Sequence, residues 1–170
     1  MAPPNRQSMP YRPCVGMMVI NADGRVLVGR RIDRDKENGT GDAWQMPQGG
    51  VDDGEDLREA ALRELKEEIG TEKVEFLAET SDWLTYDLPD ALLGKVLQGK
   101  YRGQRQKWFV MRFLGTDADI DLETHHPEFD AWKWVDAKDL PAVIVEFKRD
   151  LYAELVRRFA HLTVPERDRG

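Results

Sequence analysis

The chain has 170 residues, 41% hydrophobic and 34% charged, which suits one globular domain with a real core and no linker. Its formal net charge of −7 argues against a protein that coats nucleic acid by bulk electrostatics, so a polyphosphate ligand would need a local cationic patch or a metal ion. The longest apolar run, residues 14–20, is far too short to span a bilayer, and no signal segment opens the chain; the expectation is a cytoplasmic protein without a membrane partner. Cys14 is the single cysteine, so no intrachain disulfide is possible and a buried thiol is expected.

Residues 1–10, rich in proline and polar side chains, read as a disordered or loosely attached leader to a single domain over residues 11–165, with residues 166–170 as a flexible tail. Residues 15–20 and 25–31 are β-prone runs joined by the turn Asn21-Ala22-Asp23-Gly24. Strand alternation lets only one of Arg30 and Arg31 point easily into a cleft. Residues 33–42 form a polar loop, and residues 44–47 a short strand that delivers Gln48 and the Gly49-Gly50 turn to a helix over residues 55–69. One or two strands lie within residues 73–88, with a break near Ser81. Residues 91–116 hold no acidic residue but carry Lys95, Lys100, Arg102, Arg105, Lys107 and Arg112, a segregation that fits either a polyphosphate patch or a solvated basic loop. Residues 106–114 form the strongest strand, nearly all apolar and therefore central. Residues 116–130 are an acidic loop holding His125, His126 and Glu128, residues 131–135 a strand, and residues 145–161 a helix with Leu151, Leu155 and Phe159 on one stripe. Strands and helices in this order give an α/β or α+β fold with a mixed sheet.

The organising stretch is residues 49–70, GGVDDGEDLREAALRELKEEIG. Asp53 is the expected N-cap, Glu55 and Asp56 suit the positive first turn, and Gly70 suits a left-handed C-cap. Leu57, Ala61, Leu62, Leu65 and Ile69 form an apolar stripe, and Glu64, Glu67 and Glu68 fall on an arc at its edge. The pairs Glu59–Arg63 and Arg63–Glu67 would suit any solvated helix. A hard divalent cation would remove the cost of crowding glutamates at a core edge, although a bare ExxEE on a helix is more often a solvated face.

The complete spacing Gly49, Glu55, then Arg63-Glu64-Leu65-Lys66-Glu67-Glu68-Ile69-Gly70 resembles the Nudix box of hydrolases that cleave a nucleoside diphosphate linked to another group. The visible departure is Thr71, where that family usually has an aliphatic residue. The resemblance implies an α/β/α sandwich, Mg²⁺ as cofactor with Mn²⁺ or another divalent cation as substitute, and Glu64, Glu67, Glu68 and the Gly49 carbonyl as ligands, with Arg63 orienting a box carboxylate. The segments YRPCVG, WQMPQGG, WLTYDLP, GQRQKWF, PEFDAWKWV and FKRDLY resemble a narrower group, bacterial RNA pyrophosphohydrolases and the similar dinucleoside polyphosphate hydrolases. That group implies Glu128 as a further metal ligand. It also implies substrate contacts at Arg12, Arg31, Gln48, Tyr86 and Lys148, with Phe147 stacking on a base; a core position is the alternative for Phe147. For His125 and His126 surface positions are expected, since a hard-oxygen site does not need them. The implied reaction removes pyrophosphate from 5′-triphosphorylated RNA to leave a monophosphate that primes mRNA decay. A dinucleoside polyphosphate such as diadenosine tetra- or pentaphosphate is the alternative substrate, and an inactive nucleotide-binding module is disfavoured because no box glutamate is lost. Relative to that group the loop over residues 32–42 is long, which bears on the substrate entrance. Oligomeric state is left open.

Overall fold

Alternation of apolar side chains along the two longest strands divides the molecule into layers. In the computed structural model, which describes residues 5–32 and 43–168, the elements are β1 (Tyr11–Ile20), β2 (Val26–Arg31), β3 (Trp44–Gln45), β4 (Gln48–Gly50), α1 (Leu57–Ile69), β5 (Val74–Glu79), β6 (Leu84–Asp87), β7 (Gly103–Phe113), β8 (Phe129–Val135), α2 (Leu140–Val143) and α3 (Arg149–Phe159). Val15, Met17 and Val19 of β1 and Phe109, Met111 and Phe113 of β7 pack on one face against Ala60, Ala61, Leu65 and Ile69 of α1. Met18, Ile20, Trp108 and Val110 pack on the other against Leu140, Leu151, Tyr152, Leu155 and Phe159. Side chains two apart on a strand share a face, so the two strands feed both cores of an α/β/α sandwich.

The sheet is mixed. β1 runs parallel to β7 from Tyr11 opposite Gly103 to Ile20 opposite Arg112, and the other described pairings are antiparallel. On its other side β1 has two partners in turn. Its first half pairs with β4, Cys14 opposite Gly50 and Gly16 opposite Gln48, and its far end meets β2 at Ile20 opposite Val26. The sheet therefore forks between β2 and β4, and a cleft opens at the fork.

Several boundaries differ from expectation. α1 starts at Leu57, because Asp56 and not Asp53 caps it, its carboxylate accepting from the Glu59 N–H at 3.1 Å. Gly70 closes it in the left-handed region at φ 77°. The final helix is divided: a 3₁₀ turn over Glu146–Lys148 leads into α3, and a second over Ala160–Leu162 ends it. β7 begins at Gly103, before residue 106, and β8 at Phe129, before residue 131. The short α2, with proline in its first turn, had no periodicity to announce it. Within the expected leader, the described residues include a 3₁₀ turn, Arg6–Ser8, and Arg6 donates to Asp90 at 2.7 Å. The expected loop over residues 33–42 lies outside the described residues.

One buried hydrogen bond ties α3 to the strand that carries the glycine turn: the Met46 N–H donates to the Tyr152 Oη at 2.8 Å. Tyr152→Phe leaves that N–H without an acceptor in the core, and urea denaturation should record a loss of about 1–3 kcal/mol with the fold retained.

Candidate active site

The helix that carries the box glutamates also grades them by depth. Glu68 is buried at 3% exposure, Glu64 is half-buried and Glu67 is exposed. Their common arc therefore spans from core to solvent, and only its inner part sits at the core edge as the sequence suggested.

Arg63 holds this arrangement. Its guanidinium makes a fork with Glu55, Nε to Oε2 and Nη2 to Oε1, both at 2.8 Å. The same group donates to the Gly50 carbonyl at 3.0 Å and to Glu64 Oε1 at 2.9 Å, with Glu67 farther off at 3.4 Å. Two-point donation to a planar carboxylate fixes both partners. The principal partner is thus Glu55 at the end of the loop before α1, and not the i, i+4 neighbours that a solvated helix would use. The hydrogen bonds from Arg63 hold the Glu55 carboxyl at about 2, below the usual range.

Gly49 meets Glu64 so closely that a Cβ there would occupy the position of its carboxylate. The Gln48 N–H donates to Glu68 Oε2 at 3.0 Å. Burial raises the pKa of Glu64 despite Arg63. Burial raises Glu68 much further, helped by the charges of Glu64 and Glu128. Glu128 itself is exposed, and its backbone carbonyl accepts from the Ile32 N–H at 2.9 Å, pinning the acidic loop beside the end of β2.

These groups wall a cavity of about 370 Å³ together with Arg12, Arg31, Gln45, Gln48, Tyr86, Gln104, His126 and Lys148. Strand alternation separates the arginine pair as expected: Arg30 binds Asp130 at 2.7 Å, while Arg31, beyond a register shift in the β2–β8 pairing, lines the cavity. Lys148 is buried at 6% exposure, and desolvation, followed by the charge of Arg31, lowers its pKa to about 7. It sits three residues before Leu151, on an extension of the α3 stripe. Phe147 is half-buried and packs with its ring centroid 5.7 Å from that of Tyr86, outside the cavity lining.

Of the two readings open for the basic segment, the cavity lining does not favour a polyphosphate patch. None of the six basic residues within 91–116 lines the cavity: Arg102 pairs with Asp87, Arg105 and Lys107 lie over Trp83, and Arg112 pairs with Glu75. That segment supplies instead Leu97, at φ 52°, and the buried Gln104. His126 is exposed as expected, yet it also lines the cavity beside Glu128. A larger cavity of about 680 Å³ lies between the β1–β2 turn and the end of α3, with Arg25, Asp136, Lys138 and Arg167 in its wall; none of the buried carboxylates lies there.

A NUDIX domain model matches residues 10–155. The chain belongs to the NUDIX family. An RNA pyrophosphohydrolase of Cereibacter sphaeroides (strain KD131) is 55% identical over 154 residues, covering 89% of this chain and 92% of that protein. One of Rhodospirillum rubrum is 53% identical over 164 residues, with 96% of each chain covered. Among solved structures, an E. coli dihydroneopterin triphosphate pyrophosphohydrolase superposes with a TM-score of 0.62 at 22% identity, covering 88% of this chain and 99% of that one. A C. elegans Ap4A hydrolase gives 0.62 at 21% identity, covering 89% and 99%. The last two establish the shared NUDIX fold.

The donor chemistry fits a divalent cation of the kind NUDIX hydrolases generally use. Glu64, Glu68, Glu128 and the Gly49 carbonyl are hard oxygen donors, and a buried carboxylate pushed toward protonation is relieved by a cation. Among the described residues no three such side chains are already gathered as a cage; Arg63 holds Glu64 and the Gln48 N–H holds Glu68. Because the folded pKa of Glu68 lies above its unfolded value, its ionisation in the metal-free NUDIX domain destabilises the fold as pH rises above the unfolded carboxylate range. Glu68→Gln should accordingly raise the metal-free melting temperature at pH 8 more than at pH 5, and should abolish any further rise on adding a divalent cation.

Proposed function

We propose that this protein is a Mg²⁺-dependent pyrophosphohydrolase of the cytoplasm that acts on 5′-triphosphorylated RNA and leaves a 5′-monophosphate. One observation carries the reading: a single cavity is lined both by the carboxylates of Glu64, Glu67, Glu68 and Glu128 and by the cations of Arg12, Arg31 and Lys148. Such a cavity suits a polyphosphate chain, whose oxygens would be neutralised by the cationic side chains and by a carboxylate-held metal. Relatives more than half identical over nearly their whole length carry the name RNA pyrophosphohydrolase, which supports the substrate class.

Glu64, Glu68, Glu128 and the Gly49 carbonyl would hold the metal, with Glu67 at the solvent edge. Bound there, Mg²⁺ would neutralise phosphate oxygens and acidify a water. Arg63 touches no substrate in this scheme; it keeps Glu64 and the Gly50 carbonyl in place while Glu55 fixes it from behind. Arg12 and Arg31 orient phosphate oxygens by paired donation, and Tyr86, with Phe147 packed behind it, closes the wall next to Lys148. Gln48 adds a neutral amide to the same lining. A dinucleoside polyphosphate would use the same carboxylates and cations.

Steady-state turnover of 5′-triphosphorylated RNA and of diadenosine tetraphosphate, each with and without Mg²⁺, tests the proposal. RNA is expected to be the better substrate by kcat/KM, and Glu68→Gln should lower Mg²⁺-dependent turnover about a hundredfold or more with the fold intact. A clear excess on the dinucleotide reverses the choice of substrate, and unchanged turnover in Glu68→Gln removes the metal assignment.

The depressed Lys148 pKa of about 7 adds a pH dependence. Above it the free protein must take up a proton to offer a cation, so affinity for inorganic tripolyphosphate should fall by at most about tenfold per pH unit. Calorimetric titration from pH 6 to pH 8.5 would record that slope in the wild type and a flatter one in Lys148→Met.

A further inference from the structure

β7 presents Gln104, Gln106 and Trp108 at alternate positions on one face, all buried at 2%, 1% and 1% exposure. They form a chain. The Trp108 Nε1–H donates to Gln106 Oε1 at 2.8 Å, and Gln106 Nε2 donates to Gln104 Oε1 at 2.7 Å and, more weakly, to Gln48 Oε1 at 3.4 Å.

The direction of an amide chain is ordinarily ambiguous, because the oxygen and nitrogen of a glutamine can be exchanged. Here one member removes the ambiguity. An indole N–H can only donate, so the Gln106 atom it meets must be the carbonyl oxygen. Gln106 then has only its NH₂ to turn toward the cavity, and Gln104 must answer with its own carbonyl. The Gln104 NH₂ is left over, without a hydrogen-bond partner among the described residues, on a side chain that lines the cavity. Trp108 cannot swing away: a Cβ on Gly16 would overlap its indole, and the Tyr152 ring lies edge-on at 6.0 Å.

We propose that Trp108, acting through Gln106, is a positioning residue that commits the Gln104 amide, and with it that of Gln48, to present N–H donors to a bound phosphate chain. Phosphate oxygens accept and do not donate, so an amide turned the other way would set one acceptor against another. The fixed direction selects acceptor-rich polyphosphate over ligands that offer hydrogen-bond donors at the same place. The inference rests on the polyphosphate reading of the cavity.

A double-mutant cycle with RNA turnover and tripolyphosphate binding tests it. Gln104→Leu removes the donor and should raise KM for triphosphorylated RNA about tenfold, with kcat within about threefold of wild type. Gln106→Glu still accepts from Trp108 but can only accept from Gln104 as well, so it turns that amide round; KM should rise about a hundredfold. In Gln104→Leu/Gln106→Glu there is no amide to turn, so the combined effect should fall well short of the product of the single effects, whereas fully multiplied penalties would mean that the new charge alone is felt. Gln106→Leu, which releases Gln104 without turning it, should raise KM less than Gln106→Glu does. Should Gln106→Glu fail to fold, tripolyphosphate titration of Gln104→Leu decides: affinity equal to wild type overturns the proposal. Failure of the RNA reading would appear separately, as absent turnover in the wild type.

Discussion

Placing a carboxylate in a protein interior opposes folding unless something compensates it, and Glu68 is such a carboxylate, at the base of a cleft and beside two other acids. Much of the surrounding structure accommodates that placement. α1 rises rigidly from a capped start, β4 turns a backbone N–H toward Glu68, and Gly49 leaves room for Glu64. Arg63, locked by Glu55, supplies a cation hydrogen-bonded to Glu64. The ion pair between Arg63 and Glu55 thus works at a distance from the cavity, holding a geometry in which two acids remain close together.

The fold makes this possible by splitting the neighbours of β1. One side is fully paired with β7, and the other is divided between β4 and β2, so the sheet opens where the box loop passes. Arg12 on β1, Arg31 at the end of β2 and Lys148 at the start of α3 converge there from three separate elements. Their positive charge does not come from the conspicuous basic run of the sequence. Arg102, Arg105, Lys107 and Arg112 of that run are occupied with Asp87, Trp83 and Glu75, partners brought to them as β5 and β6 pair with β7.

That contrast explains what was legible in the sequence. Local patterns read well: the helix stripe, the Gly70 cap, the centrality of β7 and the sharing of roles between Arg30 and Arg31 all follow from periodicity over a few residues. The box glutamates were recognisable because their spacing lies within one helix. What failed depended on local detail at element ends or on pairing between distant segments. Asp56 displaced Asp53 as the cap because the turn ending at Glu55 sets where the helix begins. Gln104 was overlooked because β7 was read as starting at residue 106, although the alternation Gln104, Gln106, Trp108 could have revealed a shared face. His126 looked like an ordinary loop residue until the β2–β8 register brought its loop over the cleft.

The parallel pairing of β1 with β7 also bears on how the chain acquires its shape. β1 lies near the start of the sequence, yet its longest ladder is with residues 103–113. Parallel ladders between remote segments form late, since the intervening chain must be closed first. β4 and α1 precede β7 in the chain, so until β7 is made one long edge of β1 lacks its partner, the situation in which unpaired edges invite association with other chains. Completion of β7 closes that edge and supplies side chains to both cores, while α2, α3, Glu128 and Lys148 still follow it in the chain.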